Sequence, residues 1–159
     1  MYEIQTLEGD LNAAGMRFCL VVSRFNGFIV EQLQQGAVEG LLRHGADPKA
    51  IRVVKVPGAF ELPLAIQAVA QRGEVDAVIA LAAVIRGATK HFDYVAGECI
   101  KGITAAMLQY RLPVALGVLT CDTVEQAIER AGTKAGNKGF DAAMAAIEMV
   151  ALLRRLEGA

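Results

Sequence analysis

Tryptophan is absent from the 159-residue chain, aromatic residues of all kinds make up 6%, and there are only three cysteines, two histidines and four prolines. Cys19, Cys99 and Cys121 form no CxxC pair and have no clustered His or Asp beside them, so they do not build a tetrahedral metal site. They read as structural thiols of a reducing compartment. Charge is scarce too: 16 Lys and Arg stand against 17 Asp and Glu, a formal net charge of −1. With no polycationic surface, nucleic acid and anionic membranes are excluded as principal partners. The first residues, Met1-Tyr2-Glu3-Ile4, lack the basic and apolar regions of a signal peptide. The longest apolar run, Ala77 to Ile85, is about half the length of a membrane span. The chain is therefore expected to be cytoplasmic and soluble.

What is abundant is aliphatic side chain. Hydrophobic residues make up 54%, more than one small core absorbs, and a subunit interface is the natural place for the remainder. The length fits one domain, residues 1–159. Phe18 to Val22 reads as a buried strand ending in the turn formers Ser23-Arg24-Phe25-Asn26-Gly27. Ile29, Leu33, Ala37 and Leu41 then recur every four residues, and Arg43, His44 and Gly45 suit a helix C-terminus. A strand over Ile51 to Val56 stops at Pro57-Gly58, before a helix with Pro63 in its first turn and Gly73 at its end. Ala77 to Ile85, apolar throughout, is expected in the middle of a sheet. A helix through Phe92, Val95, Cys99, Ile103 and Met107 leads to a fourth strand, Pro113 to Leu119. Thr123-Val124-Glu125-Gln126 matches a capping box, and a glycine-broken loop, Gly132 to Gly139, precedes a last helix.

Four strands alternating with helices predict an α/β fold, a three-layer α/β/α sandwich around a four-stranded parallel sheet. Residues 1–15 stand apart as an N-terminal arm in which Tyr2, Ile4 and Leu7 are expected to form a strand pairing with a neighbouring subunit. In such a sheet the ligand crevice lies beyond the carboxyl ends of the strands. The chain's unusual residues concentrate there. His91 falls at a helix start just after a buried strand, which favours proton transfer over a solvated loop role. His44, at a helix C-terminus, reads as structural. Gly87-Ala88-Thr89 puts a hydroxyl and free N–H groups at a helix start, a ready anion site. Gly132 to Gly139 is no P-loop, because the GK[ST] ending is missing and a helix precedes it.

Taken together, Ser23-Arg24-Phe25-Asn26, Val56-Pro57-Gly58-Ala59-Phe60-Glu61-Leu62-Pro63, Val84 to Tyr94 and Glu125 to Gly139 resemble the 6,7-dimethyl-8-ribityllumazine synthase family, in order and spacing, from about residue 8 to residue 156. The resemblance implies a flavodoxin-like fold and the condensation of 5-amino-6-(D-ribitylamino)uracil with 3,4-dihydroxy-2-butanone 4-phosphate, with no metal or organic cofactor. By similarity, Phe25 stacks on the pyrimidine, Ala59, Phe60 and Glu61 meet the ribityl chain, and Ala83, Val84 and Ile85 line the ring pocket. Ala88, Thr89 and Arg130 hold the phosphate, Lys138 assists them, and His91 is the acid/base.

Three positions depart from the family's commoner pattern: Leu116 replaces an aromatic at the ring site, Ala83 a threonine, and Lys90 a small residue or proline. The family resembled assembles as pentamers with shared active sites, some of them packed into 60-subunit shells. The absence of an insertion between Gly132 and Gly139 favours the shell here. Partners implied are the two substrates, further copies of the chain and riboflavin synthase. Two other readings stay open at this level: a flavin- or lumazine-binding module with little turnover, which Leu116 and Ala83 would favour, and a nucleotide-binding protein, disfavoured by the lack of a phosphate loop after the first strand.

Overall fold

The protein is described by a computed structural model covering residues 2–133 and 136–158. Four strands form one parallel sheet: β1 (Phe18–Ser23), β2 (Ile51–Val56), β3 (Ala77–Ile85) and β4 (Val114–Cys121), in the spatial order β2-β1-β3-β4. The uniformly apolar run is interior, as its composition predicts: every residue of β3 but Ile85 is buried. Alternation divides each central strand between two cores. Phe18, Leu20 and Val22 meet Ile29, Leu33 and Leu41 of α1 (Gly27–Arg43) and Ala143 and Ile147 of α5 (Lys138–Gly158). Cys19 and Val21 join the opposite core with Leu62 and Ile66 of α2 (Leu62–Arg72) and Cys99 and Ile103 of α3 (His91–Tyr110). Helices on both faces complete the three layers.

The helix boundaries follow local chemistry. Pro63 sits in the first turn of α2, and Gly73 ends it with φ 67°. α4 (Val124–Arg130) starts on Thr123, whose side chain accepts from Gln126 N at 3.1 Å. The glutamine reaches back one residue further than an ideal capping box, to Asp122 N at 2.8 Å. His44 is structural as expected: Nδ1 lies 2.7 Å from the Gly40 carbonyl and the ring meets Phe140 edge-on at 6.3 Å. β4 starts one residue after Pro113, whose carbonyl accepts from Val78 N at 2.9 Å, and runs on to Cys121.

The loop between α4 and α5 is held by Asn137, which periodicity did not single out. Its amide donates to the carbonyls of Gln32 at 2.9 Å and Ala131 at 3.1 Å, and its Oδ1 accepts from Phe140 N at 3.0 Å. The carboxamide occupies the space where a Cβ at Gly36 would go, and a Cβ at Gly139 would collide with the backbone of Leu33. Gly139 thus lets the start of α5 lie directly against the backbone of α1, and Gly36 leaves room on α1 for the Asn137 side chain. Lys134 and Ala135 of this loop, like Met1 of the arm, lie outside the described residues.

The strand expected over Tyr2, Ile4 and Leu7 does not form within the single chain. Residues 2–8 are exposed and none of the chain's own strand edges pairs with them, so the segment has no ladder to complete. Regular contact begins later, where Arg155 grips the Glu8 carbonyl and pairs with Asp10 at 3.2 Å, and Ala13 N donates to the His44 carbonyl at 2.8 Å. No helix among the described residues is long and apolar enough to cross a membrane.

Candidate active site

The turns leaving β1, β2 and β3 converge at the carboxyl end of the sheet, around a cavity of about 570 Å³, within the range of small-molecule sites. Ser23 and Ala83 to Ile85 come from the strand ends, Pro57 to Glu61 from the turn after β2, and His91, Phe92, Tyr94 and Val95 from the first turns of α3. Phe25 completes the wall. Of the residues singled out in the sequence, Phe25, Ala59, Phe60, Glu61, Ala83, Val84, Ile85 and His91 all line this one space.

The local backbone explains how they arrive there. β1 ends on Ser23, the one buried polar residue among the described residues, whose Oγ accepts from Phe25 N at 3.2 Å. That bond turns the chain and leaves the Phe25 ring 69% exposed. Asn26 follows in the left-handed region at φ 57°, which asparagine tolerates better than most residues, and its amide donates to the Ala83 carbonyl at 2.8 Å. Asn26 therefore ties the Phe25 turn to the end of β3. After β2, Glu61 N donates to the Gly58 carbonyl at 3.2 Å and closes a short helical turn, Ala59–Glu61. It buries Ala59 and leaves Phe60 61% exposed.

Between β3 and α3, the residues Arg86 to Lys90 and then His91 are exposed. The contact within this turn is long: His91 N donates to Thr89 Oγ1 at 3.4 Å. Ala88 and Thr89 lie in the same turn as His91 but outside the cavity lining.

Leu116, Arg130 and Lys138 are not brought to this chain's own cavity. Leu116 is on the edge strand β4, opposite Ala80, and half exposed. Arg130 ends α4, with Nη1 donating to the Gln126 carbonyl at 3.1 Å. Lys138 opens α5 and pairs with Asp141 at 3.6 Å. The cysteines are remote from any reactive role: burial pushes the Cys19 and Cys99 thiols up to about 11, and also raises Cys121. Among the described residues, no group of three or more His, Cys, Asp or Glu side chains is placed to hold a metal ion.

Several lining residues escaped the sequence reading. Tyr94 and Val95 stand three and four positions after His91, on the same helix face, so a helical projection from His91 points to them. Phe92 and Val95 show core spacing yet serve both the core and the cavity wall. Asn26 leaves no comparable signal, because its partner is 57 residues away.

With this geometry in view, comparison with known families is specific. The family model for 6,7-dimethyl-8-ribityllumazine synthase matches residues 15–154, nearly the whole chain, and the chain belongs to that family.

Proposed function

From that membership we propose that the protein condenses 5-amino-6-(D-ribitylamino)uracil with 3,4-dihydroxy-2-butanone 4-phosphate to 6,7-dimethyl-8-ribityllumazine, releasing one phosphate and two waters. The observation that carries this reading is the convergence of Phe25, Phe60, Glu61 and His91, from three distant stretches, on one largely apolar cavity. An exposed aromatic face suits a flat pyrimidine. Glu61 supplies an acceptor for ribityl hydroxyls, and the strand end Ala83 to Ile85 offers backbone groups to the ring.

The amine of the uracil attacks the ketone and loses water to give an imine. Phosphate then leaves, and ring closure expels the second water. Each step moves a proton near neutral pH, the task given to His91. Ala88 and Thr89 offer N–H and hydroxyl donors to the phosphate. Much of the acceleration comes from holding two substrates together.

The cavity is open on one side, and Phe25, Phe60 and Tyr94 are each more than 60% exposed. Leu116, Arg130 and Lys138 lie elsewhere on the chain. Both facts support a shared site in which a neighbouring copy supplies Leu116 to the ring, Arg130 to the phosphate and Lys138 as a helper. We propose a cytoplasmic homopentamer, assembled further into a 60-subunit shell, with residues 1–159 as one domain, its first fifteen residues reaching a neighbour, and riboflavin synthase as a partner. Mixing the two purified substrates with the protein, and following phosphate release together with the lumazine chromophore, tests the reading. Both signals rising together support it, whereas chromophore binding without phosphate release would mark a binding module.

A further inference from the structure

Arg86 follows the last residue of β3 and borders the exposed turn beside the cavity, where a free guanidinium would serve a phosphate. Its side chain is committed elsewhere. Nε donates to Asp122 Oδ1 at 2.9 Å, Nη1 reaches Asp93 Oδ1 at 3.4 Å, and the guanidinium carbon stands 4.4 Å from the centroid of the Phe92 ring. Two carboxylates therefore outweigh its one positive charge. It lines a groove of about 640 Å³ between α3 and β4, and not the cavity. Its backbone N donates to the Cys121 carbonyl at 2.8 Å, so both ends of the residue are fastened to the β4–α4 junction.

The turn it leads into has little of its own to hold it. Lys90, at the N-cap of α3, makes no side-chain cap, and the Thr89 contact to His91 N is long. We propose that Arg86 is a positioning residue: it fastens the first turn of α3 to the end of β4 and so sets where His91 and Phe92 stand at the cavity wall. Asp122 extends the same link, because its backbone N is held by Gln126, one turn before the Arg130 that a neighbour would use. Exposed ion pairs are individually weak. Here one planar guanidinium serves two carboxylates and a ring face at once, a combination that the single ammonium of lysine cannot reproduce.

The kinetic part of this proposal rests on the lumazine-forming reading, and the structural part does not. The test compares the full-length protein with Arg86→Met and Arg86→Lys by amide hydrogen exchange and by steady-state kinetics. In Arg86→Met, amides of residues 87–94 should exchange about tenfold faster while those of the sheet are unchanged. Turnover should fall about tenfold, with KM for the butanone phosphate moving less than about twofold. Arg86→Lys, which keeps the charge and loses the fork, should recover only part of both effects. Unchanged exchange in residues 87–94 would overturn the proposal, as would faster exchange with full turnover. A large rise in KM for the butanone phosphate at full kcat would make Arg86 a phosphate ligand instead. If the unaltered protein forms no lumazine, the functional reading fails, and the exchange measurement still decides whether Arg86 orders the turn.

Discussion

The two ends of the sheet are built on opposite principles. At the amino ends of the strands, charges close on one another. Arg17, just before β1, donates its backbone N to Asp76 at 2.7 Å and its side chain at 3.2 Å, and Arg154 of α5 adds a second cation at 3.6 Å. Beside them Glu74 is shared by Arg52 at 3.1 Å and Arg72 at 3.0 Å. At the carboxyl ends, aromatic rings stay exposed around a cavity, and the nearby charge cluster, Arg86 with Asp93 and Asp122, lines the groove behind α3. One end spends its polar groups on itself. The other keeps its turns available to a ligand, which is the division expected when the same strands must hold a fold together and present a site.

Arg130→Ala should break the comparison most sharply. Losing a charge-assisted contact to phosphate costs on the order of 1.5–3 kcal/mol, read as a raised KM for the butanone phosphate with KM for the aminouracil little changed. Equal effects on both would assign Arg130 to structure. Because the site is proposed to be shared, exchanging His91→Gln subunits with Arg130→Ala subunits should restore part of the activity.

At the closed end, Asp76→Asn should destabilise by about 1.5 kcal/mol, the scale of a hydrogen bond to a charged group, lowering Tm by about 3–6 °C without altering kcat. Burial pushes the Asp76 carboxyl upward, but the hydrogen bonds and charge of Arg17, joined by Arg154, outweigh it and hold the group below its ordinary value of 3.8. With the folded value depressed, this stabilisation is full above the ordinary carboxylate range and is lost as pH falls through the folded value. The Tm gap between the protein and Asp76→Asn should therefore close on acidification below about pH 4. A gap that persists at lower pH would show that packing, not charge, holds this end.

His91→Gln, at the open end, should show the mirror pattern, with kcat down about tenfold or more and Tm nearly unchanged. Full turnover in this variant would remove His91 from the chemistry. Leu116→Phe is the smallest change: if a neighbouring copy brings Leu116 to the ring as proposed, an aromatic there should tighten pyrimidine or product binding by about 0.5–1.5 kcal/mol, measured by titration. Weaker binding would mean that the pocket has been repacked around leucine.

Much of this architecture can be read along the chain, because its causes are local. The unbroken apolar run of β3, the four-residue spacing in α1, the Pro57-Gly58 stop and the Thr123 cap each act within a few residues, and each lies where its pattern says. The motif residues at the strand ends were legible for the same reason. A parallel sheet brings every β-to-α turn to one end, so Phe25, Phe60, Glu61 and His91 had to gather there. What only the tertiary structure decided is how those turns are held. The strand order β2-β1-β3-β4 makes neighbours of β1 and β3, which lets Asn26 reach the Ala83 carbonyl, and of β3 and β4, which lets Arg86 reach Asp122. Asn137 likewise ties its loop to the carbonyl of Gln32, 105 residues away. Side chains that act across such separations leave no periodic mark, since their partners are chosen by packing in three dimensions and not by spacing in one.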